Sequence, residues 1–389
     1  MKEERILITG GLGFIGSEIA KVLVANGQQV RLLDNLSSQI HGALPDRKWP
    51  SFLHDGSVEI LRADVCDSSI WGSALQDVHA IVHLAAETGT GQSMYQILRY
   101  AHTNVEGTAT LLDFLANQKH CVQKLILASS RSVYGEGAYV CNNCGLVAPR
   151  MRTDSELSAA RWEPACPHCR QTITVAPTSE CLAPSPASIY AATKLAQEDL
   201  VRIASQALGI GAVILRFQNV YGEGQSLKNP YTGILSIFAN QLRLGCALNI
   251  YEDGRESRDF VHVSDVAHAI ALTLDSDRAD GQTLNVGSGR PITISQIASM
   301  LRDRIPCAAE PFISGHYRVG DIRHGFADLS LIQERLGFTP QVWLDEGLDR
   351  FVRWVITQSP EPDRLSEATR ALVLRGLMNH DVPAQTAAV

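Results

Sequence analysis

Tyr190 and Lys194 stand four residues apart, in the segment Tyr-Ala-Ala-Thr-Lys at the start of a predicted helix. Side chains at that spacing lie on the same helix face. A phenol titrates at about pH 10, but a neighbouring ammonium group and a positive nicotinamide ring would stabilise the phenolate and lower its pKa. The pair therefore predicts proton transfer, with Tyr190 as acceptor and Lys194 assisting. A surface pairing of the two side chains is the alternative.

Two hydroxyl groups form the next candidate feature. A short apolar strand ends at Ser129 and Ser130. A hydroxyl at the carboxyl end of such a strand can hydrogen bond to the substrate oxygen whose proton Tyr190 removes. Either serine fits this role, and a helix or turn cap is the alternative for both.

Glycines follow the first predicted strand and open the first predicted helix. They match both Gly-x-Gly-x-x-Gly and Gly-x-x-Gly-x-x-Gly. Glycine lets the backbone approach a pyrophosphate closely, and a helix N-terminus offers N–H donors with partial positive charge. A tight turn that needs glycine is the alternative. We expect the dinucleotide to contact Gly10, Gly13, Phe14, Ile15 and Gly16.

The second predicted strand ends at Asp34 and Asn35, and Asp34 lies 18 residues after Gly16. An acid at that distance typically binds the adenosine ribose hydroxyls. Its charge repels a 2′-phosphate, so the sequence favours NAD over NADP. A solvated strand end is the alternative for Asp34. Asp64 and Val65 follow the third strand and are expected to flank the adenine.

Four of the nine cysteines form two Cys-x-x-Cys pairs, Cys141 with Cys144 and Cys166 with Cys169. The pairs are separated by 21 residues, which is typical of a four-thiolate zinc site. Four thiolates complete a tetrahedron, so we expect a structural zinc rather than a catalytic one. Two disulfides, or a ribbon that has lost its metal, are the alternatives.

Composition sets the class of protein. The chain has 389 residues, 45% hydrophobic and 19% charged, with a formal charge of −7. This balance gives no basic footprint for a nucleic acid or an anionic membrane. The sequence shows no apolar run of about 20 residues and no room for a signal peptide before the first strand, so we expect a cytoplasmic protein without a membrane partner.

The spacing of apolar residues predicts the elements that position these groups. Short apolar strands alternate with helical segments, which predicts an α/β fold with a Rossmann-like, doubly wound parallel sheet. We expect an NAD-binding domain at 1–218, interrupted by a zinc-ribbon-like insertion at 136–185. A smaller substrate domain at 219–358 and a tail at 359–389 follow. The predicted strands are 5–9, 29–33, 58–61, 80–84, 124–128 and 212–217, and the predicted helices are 14–26, 94–117, 189–208 and, in the tail, 365–377.

Taken together, these motifs resemble the nucleotide-sugar epimerase group of extended short-chain dehydrogenases/reductases. The resemblance covers residues 5 to about 355, apart from the insertion. It is carried by the glycine string, Asp34-Asn35, His83-Leu84-Ala85-Ala86, Asn104-x-x-Gly107-Thr108, Ser129-Ser130 with Tyr134-Gly135, Tyr190 with Lys194, Arg216 to Asn219, Arg258-Asp259-Phe260 and Gly320-Asp321-Ile322-Arg323.

The resemblance implies roles that spacing alone does not give. It selects Ser130 as the hydroxyl that works with Tyr190 and Lys194. It implies that NAD contacts Leu84, Ala85, Ala86, Tyr190 and Lys194. It assigns the nucleotide and diphosphate contacts of a nucleotide-sugar substrate to Asn219, Tyr251, Arg258 and Arg318. It also implies a homodimer formed through the helices predicted at 94–117 and 189–208.

Arg131 and Ser132 indicate the reaction. Relatives that eliminate water or carbon dioxide usually carry an acid at these positions, and this chain has none there. We therefore expect epimerisation at C4. Tyr190, relayed by Ser130, takes the C4 hydroxyl proton while NAD takes the hydride, and hydride returns to the other face of a transient 4-keto sugar.

Within the group, the cysteine pairs, the segment after Asp34 and the segment at Phe217 to Gly222 resemble the dTDP-L-rhamnose 4-epimerases. That branch interconverts dTDP-L-rhamnose and dTDP-6-deoxy-L-talose. The alternatives are a UDP- or GDP-linked sugar 4-epimerase, a 4-ketoreductase that releases its product, or a non-catalytic NAD-dependent scaffold.

Overall fold

The largest element is a seven-stranded parallel sheet in the order β13-β9-β5-β4-β1-β2-β3. The structure, a computed structural model, describes residues 5–42, 50–54, 56–231, 233–306 and 308–379. The order reverses between β1 and β4, which is where ligands bind in doubly wound sheets. The strands are β1 (Arg5–Thr9), β2 (Gln29–Asp34), β3 (Val58–Arg62), β4 (Val78–His83), β5 (Lys124–Ser130), β9 (Gly211–Phe217) and β13 (Thr283–Val286).

Alternation along the strands divides the core into two layers. In β1, Ile6 and Ile8 pack with Ile19 of the first helix on one face of the sheet. Leu7 faces the opposite way and packs with Leu111. All three β1 residues are buried, as expected for strands covered by helices on both faces. The predicted Rossmann-like sheet is confirmed, and β13 is a seventh strand that the sequence prediction lacked.

The helices and helical turns connect the strands. Helix α8 has the predicted bounds; the Ser188 side chain caps its start and left-handed Gly209 ends it. The helices are α1 (Phe14–Ala25), α2 (Ser38–His41), α3 (Trp71–Ala74), α4 (Thr90–Ser93), α5 (Ile97–Tyr100), α6 (Gly107–Asn117), α7 (Asp154–Ser158), α8 (Ile189–Leu208), α9 (Ile234–Arg243), α10 (Val263–Leu274), α11 (Ile294–Arg304), α12 (Ser330–Leu336), α13 (Leu344–Thr357) and α14 (Leu365–Val373), with 3-10 turns at Ser51–His54, Ser68–Ile70, Arg131–Tyr134 and Asp277–Ala279.

The single helix predicted at 94–117 is wrong in one respect. Helices α5 and α6 are separated by a π-helical turn, Ala101–Glu106. Within that turn the Asn104 amide donates to the Glu87 carbonyl and to the Thr193 hydroxyl of α8. Apolar periodicity does not report such polar contacts, and π turns often accompany them at functional sites.

The C-terminal part has its own core, built from α9, α11 and α13. Helix α14 ends at Val373, before the predicted 377, and the chain then pairs with the strand that carries Arg318. Residues 380–389 of the predicted tail lie outside the described residues. No helix among the described ranges is long and apolar enough to cross a membrane. The remaining strands here are β10 (Asn219–Tyr221), β11 (Asn249–Ile250), β12 (Ser257–His262), β14 (Pro291–Thr293), β15 (Phe312–Ile313), β16 (Tyr317–Arg318) and β17 (Met378–Asn379).

The insertion at 136–185 forms a small antiparallel sheet in the order β7-β6-β8, together with α7. Its ends lie next to each other, because the Ser185 N–H donates to the Val133 carbonyl at 2.8 Å. The chain therefore leaves the domain of the seven-stranded sheet (the sheet half) and returns to it at neighbouring backbone positions. Its strands are β6 (Tyr139–Cys141), β7 (Gly145–Val147) and β8 (Ile173–Val175).

Candidate active site

A cleft of about 570 Å³ opens at the carboxyl ends of β1 and β4, where the strand order reverses. It brings the predicted catalytic residues and nearly all of the predicted cofactor residues together. Predicted residues that line it are Gly10, Gly13, Phe14, Ile15, Gly16, Asp34, Asn35, Val65, Leu84, Ala85, Ala86, Ser130, Tyr190, Lys194, Asn219, Arg258 and Arg318.

The glycine turn fits a pyrophosphate. Gly10 has a φ of +64°, and a Cβ on Gly16 would collide with the Gly10 carbonyl oxygen. A Cβ on Gly13 would meet only the Gly10 oxygen, at 3.1 Å, so the turn is open on that side. No side-chain hydrogen bond caps α1 at Gly13, and its first turn carries no acid. Its N–H donors are therefore available to an anion.

Asp34 is fixed at the end of β2. Its carboxylate accepts hydrogen bonds from the N–H groups of Leu12 at 3.0 Å and Leu36 at 2.9 Å. The His41 Nε2 lies 3.3 Å from the same carboxylate. Asp34 is buried and lines the cleft. A carboxylate held there fits ribose hydroxyls and disfavours a phosphate.

Asp64 does not line the cleft, although its neighbour Val65 does. The Asn35 amide donates to the Asp64 carboxylate at 2.9 Å, and the Cys66 N–H donates to it at 2.9 Å. Burial raises the pKa of Asp64, but these hydrogen bonds outweigh it and hold the pKa below its ordinary value. Asp64 therefore holds the side chain of Asn35, which lines the cleft, and its own contact with the adenine stays a prediction.

Ser130, Tyr190 and Lys194 meet on one wall of the cleft. The Ser130 side chain lies close enough to the Tyr190 phenol to lower its pKa. The Lys194 ammonium donates to the Ala128 carbonyl at 2.9 Å. Burial lowers the pKa of Lys194 to about 7, with Glu198 opposing the shift.

The pKa of Tyr190 departs from the expectation. Burial raises it, and the Ser130 side chain only partly offsets the rise. The expected lowering included a positive nicotinamide ring, and Lys194 without that ring does not reverse the effect of burial.

The structure separates the two adjacent serines. The Ser129 hydroxyl donates to Glu198 of α8, which also forms a bidentate ion pair with Arg216 at 2.9 and 2.6 Å. The Ser130 hydroxyl acts on the Tyr190 phenol and lies 3.0 Å from the Ser132 hydroxyl. Sequence reasoning missed Glu198, although its position four residues after Lys194 places it on the same face of α8.

The cleft is also lined by three of the four predicted substrate residues, Asn219, Arg258 and Arg318. Arg258 is fixed by donating to the carbonyls of Ser257, Ile322 and Arg323 at 2.8–3.0 Å. Tyr251 does not line the cleft, and its assignment to the substrate stays a prediction. Its ring lies 4.8 Å from the Arg318 guanidinium carbon and supports that side chain from behind.

The four insertion cysteines form a second candidate site. All four sulfur atoms lie within 4.8 Å of one another. The backbone N–H groups of Cys169 and His168 bond the Cys166 sulfur and lower its pKa to about 6. Left-handed Gly145 closes the first turn, with a φ of +74°. Four converging sulfurs with N–H donors suit a tetrahedral thiolate-binding metal.

Comparisons with known proteins address the family. The sequence profile described as the NAD dependent epimerase/dehydratase family matches residues 6–153 and 157–287. A dTDP-L-rhamnose 4-epimerase of Burkholderia thailandensis is 40% identical over 355 residues, 90% of this chain and 95% of the relative. A putative UDP-glucose 4-epimerase of Methanocaldococcus jannaschii is 28% identical and covers 90% of this chain and 98% of its own.

Solved structures agree with this fold. A UDP-glucose 4-epimerase of Thermotoga maritima with UDP-glucose is 28% identical, with a TM-score of 0.71, over 90% of this chain and 98% of its own. A Thermus thermophilus UDP-glucose 4-epimerase in complex with NAD is 26% identical, with the same TM-score of 0.71, over 91% of this chain and 100% of its own. The resemblance carried by the motifs is confirmed, and the chain belongs to the NAD dependent epimerase/dehydratase family.

Proposed function

We propose that this chain is an NAD-dependent 4-epimerase that interconverts dTDP-L-rhamnose and dTDP-6-deoxy-L-talose. The observation that carries the proposal is the cleft of about 570 Å³, which Ser130, Tyr190 and Lys194 line together with the glycine turn. The 40% identity with the Burkholderia thailandensis dTDP-L-rhamnose 4-epimerase supports the choice of sugar. Relatives named for UDP-sugars make a UDP-linked substrate the competing reading.

The chemistry divides between the chain and its cofactor. When bound, NAD supplies the hydride acceptor and donor for C4 of the sugar. Tyr190 takes the proton of the C4 hydroxyl and returns it, and Ser130 hydrogen bonds to both oxygens. Lys194 contributes positive charge beside the phenol, which favours the phenolate. The cofactor residues are Gly10, Gly13, Phe14, Ile15, Gly16, Asp34, Asn35, Val65, Leu84, Ala85 and Ala86, together with Tyr190 and Lys194.

The substrate is held at its nucleotide end. Asn219, Arg258 and Arg318 take the nucleotide and diphosphate, since a guanidinium fork binds phosphate oxygens bidentately. The sugar beyond the diphosphate is then able to present either face of C4. Because the nucleotide stays bound while the 4-keto sugar turns, hydride can return to the other face of C4, and the configuration at C4 is inverted.

Positions 131 and 132 favour epimerisation over elimination. The Arg131 guanidinium donates to the Gly135 carbonyl at 2.8 Å, and the Ser132 hydroxyl contacts Ser130. Neither side chain is a carboxylate placed to abstract a second proton. A 4-ketoreductase is the remaining enzymatic alternative, and it would have to exchange its cofactor in every turnover.

The insertion is proposed to hold a structural zinc through Cys141, Cys144, Cys166 and Cys169. The convergence of the four sulfurs supports this proposal, and zinc would supply folding free energy to a small module. A reducing, cytoplasmic location suits such a thiolate site. The division into domains at 1–218, 219–358 and the tail remains part of the proposal.

A homodimer is also proposed. Three apolar side chains on α5 and α8 are exposed, namely Ile97, Leu98 and Ile203 at 52, 82 and 61%. Exposed apolar residues on neighbouring helices are typical of an interface between subunits. Sedimentation equilibrium would test this, and a monomer at micromolar concentration would contradict it.

The deciding experiment incubates the purified protein with dTDP-, UDP- and GDP-linked sugars and resolves the products by NMR. Conversion of dTDP-L-rhamnose without added cofactor, with C4 deuterium retained in the product, is the expected result. Loss of the deuterium to solvent would contradict the mechanism, and conversion of UDP- or GDP-sugars alone would overturn the substrate. Stoichiometric release of a keto or reduced product with cofactor consumption would favour the ketoreductase.

A further inference from the structure

Residues 152–163 of the insertion contact a second segment, residues 317–324, at both of its ends. We call 152–163 the clamp and 317–324 the arginine segment, since the latter carries Arg318 and Arg323. The arginine segment also lines the cleft, through Arg318, Gly320, Asp321 and Ile322. The insertion thus reaches the nucleotide wall of the cleft through one intermediate layer.

At the far end of the segment, Arg323 is completely buried. Its guanidinium group bonds Glu163 of the clamp at 2.6 Å, Glu252 at 2.9 Å and Asp253 at 2.7 Å. Glu163 also lies 3.1 Å from the His324 Nε2. A buried guanidinium needs such partners, because an unpaired charge is strongly disfavoured in the interior. The clamp carboxylate therefore helps to fix Arg323.

The middle and near end are held by three further contacts. Tyr317 donates its hydroxyl to the Asp154 carboxylate at 2.9 Å. The Trp162 ring packs beside the Tyr317 ring, with centroids 6.2 Å apart. Arg152 donates to the Asp321 carbonyl at 2.9 Å and pairs with Glu252 at 2.8 Å. The clamp therefore contacts the residue on each side of the cleft-lining stretch.

The arginine segment fixes both cleft arginines. Arg318 belongs to it, in strand β16 beside Tyr317. Arg258 lies on β12, but its guanidinium group donates to the carbonyls of Ile322 and Arg323. A displacement of the segment would therefore move one guanidinium group and release the other. Both groups face the place where a diphosphate is proposed to bind.

We propose that the clamp is a positioning element that sets the affinity of the cleft for a nucleoside diphosphate, with Glu163 and Asp154 as its positioning residues. The inference rests on the proposed function, since it takes the diphosphate wall as given. Side chains that are already held in their bound arrangement lose less entropy when the ligand binds. Fixing Arg258 and Arg318 in the free protein therefore raises the affinity for the nucleoside diphosphate. None of the clamp contacts touches the glycine turn or Tyr190. Affinity for the nucleotide, and not the chemical step, is what the clamp controls.

The test measures dTDP and UDP binding by titration calorimetry on the NAD-loaded, full-length protein. Glu163→Gln removes one charge from the Arg323 site, and Asp154→Ala removes the carboxylate that accepts from Tyr317 at the other end. Each is expected to weaken dTDP binding and to raise the KM for the nucleotide sugar about fivefold to tenfold. The kcat at saturation and the NAD content are expected to stay within twofold of wild type. Glu334→Gln, which removes an exposed carboxylate of α12, is the matched control and leaves both quantities unchanged.

The outcomes distinguish a failure of the clamp proposal from a failure of the proposed function. Wild type that binds nucleoside diphosphates, with both variants binding them equally well, overturns the clamp and leaves the proposed function standing. Wild type that binds no nucleoside diphosphate overturns both. A kcat that falls with unchanged KM also contradicts the clamp. If Glu163→Gln fails to fold, Asp154→Ala decides the question, because it removes one clamp carboxylate and leaves the arginine segment itself unchanged.

Discussion

The seven-stranded sheet packs large apolar clusters against both of its faces, whereas the insertion buries only five residues in a cluster of its own. Two of those five are the cysteines Cys141 and Cys166. The sheet half is stable through apolar burial, which scales with the area removed from water. The insertion instead brings four sulfurs together and forms ion pairs with the C-terminal part. We therefore expect damage to the sheet half to abolish chemistry, and damage to the insertion to weaken substrate binding.

Tyr190→Phe should separate the two regions most sharply. Removing the proton acceptor is expected to lower kcat about a thousandfold, with NAD still bound, because proton transfer by a placed side chain contributes on that order. Steady-state assay and the cofactor absorbance of the purified protein would measure this. Tyr134→Phe is the matched control, since its hydroxyl bonds Asn285 outside the cleft. A variant that kept more than a tenth of the activity would contradict the assignment.

Gly16→Ala should affect the same region through the cofactor. A methyl group there collides with the Gly10 carbonyl, so the turn must open and its N–H donors must move. We expect NAD affinity to fall about a hundredfold, by equilibrium dialysis. Gly72→Ala is the control, because the nearest atom to its added methyl group is 4.0 Å away, on Phe114. Equal loss of NAD in both variants would point to general destabilisation instead.

Cys144→Ser, or removal of metal by a chelator, should act on the insertion alone. With the fourth sulfur lost, the zinc content is expected to fall. The KM for the nucleotide sugar is expected to rise about tenfold, because the clamp lies between the two cysteine pairs and is no longer held by the metal site. Elemental analysis and kinetics would be run side by side. Cys121→Ser, at an exposed cysteine outside the insertion, should change neither. Wild-type protein that holds no metal after expression with zinc would refute the zinc proposal.

The smallest expected effect is the contribution of Lys194, in the sheet half, to the pH dependence of the free energy of unfolding. Burial lowers its pKa from 10.5 to about 7 in the folded protein. Between those values the unfolded chain binds one more proton, so this group makes stability rise with pH, by at most about 1.4 kcal/mol per unit. Below pH 7 both states are protonated and the slope vanishes. Denaturant unfolding of cofactor-free wild type and Lys194→Met from pH 7.5 to 9 should show the difference, and identical slopes would contradict it.

The sheet could be predicted from sequence because its cause is local. Short runs of Val, Ile and Leu between helical segments predict buried parallel strands, and six strands were placed to within two residues at either end. The π turn before α6 was not predictable, because it depends on contacts of Asn104 with distant residues. The elements inside the insertion were also missed, since three-residue strands carry too little periodicity.

The site was predictable where spacing along one helix or turn defines it. Tyr190 and Lys194 share α8, and the glycines share one turn. Sequence is less informative where a side chain contacts a residue from another segment. Asp64 turns to Asn35, and Tyr251 supports Arg318 from outside the cleft, as no local pattern reveals. Glu198 was overlooked because its partner Arg216 comes from another strand.

The hydrogen bond from Ser185 to Val133 brings the two ends of the insertion together, but the insertion is also attached to the sheet at a second place. The Thr178 carbonyl accepts from the Asn285 amide of β13 at 2.9 Å, and the Glu180 carboxylate accepts from the Asn285 N–H at 2.7 Å. A shortened chain that keeps the register of β13 therefore has to retain Thr178 and Glu180, so the last part of the insertion belongs to the scaffold of the sheet.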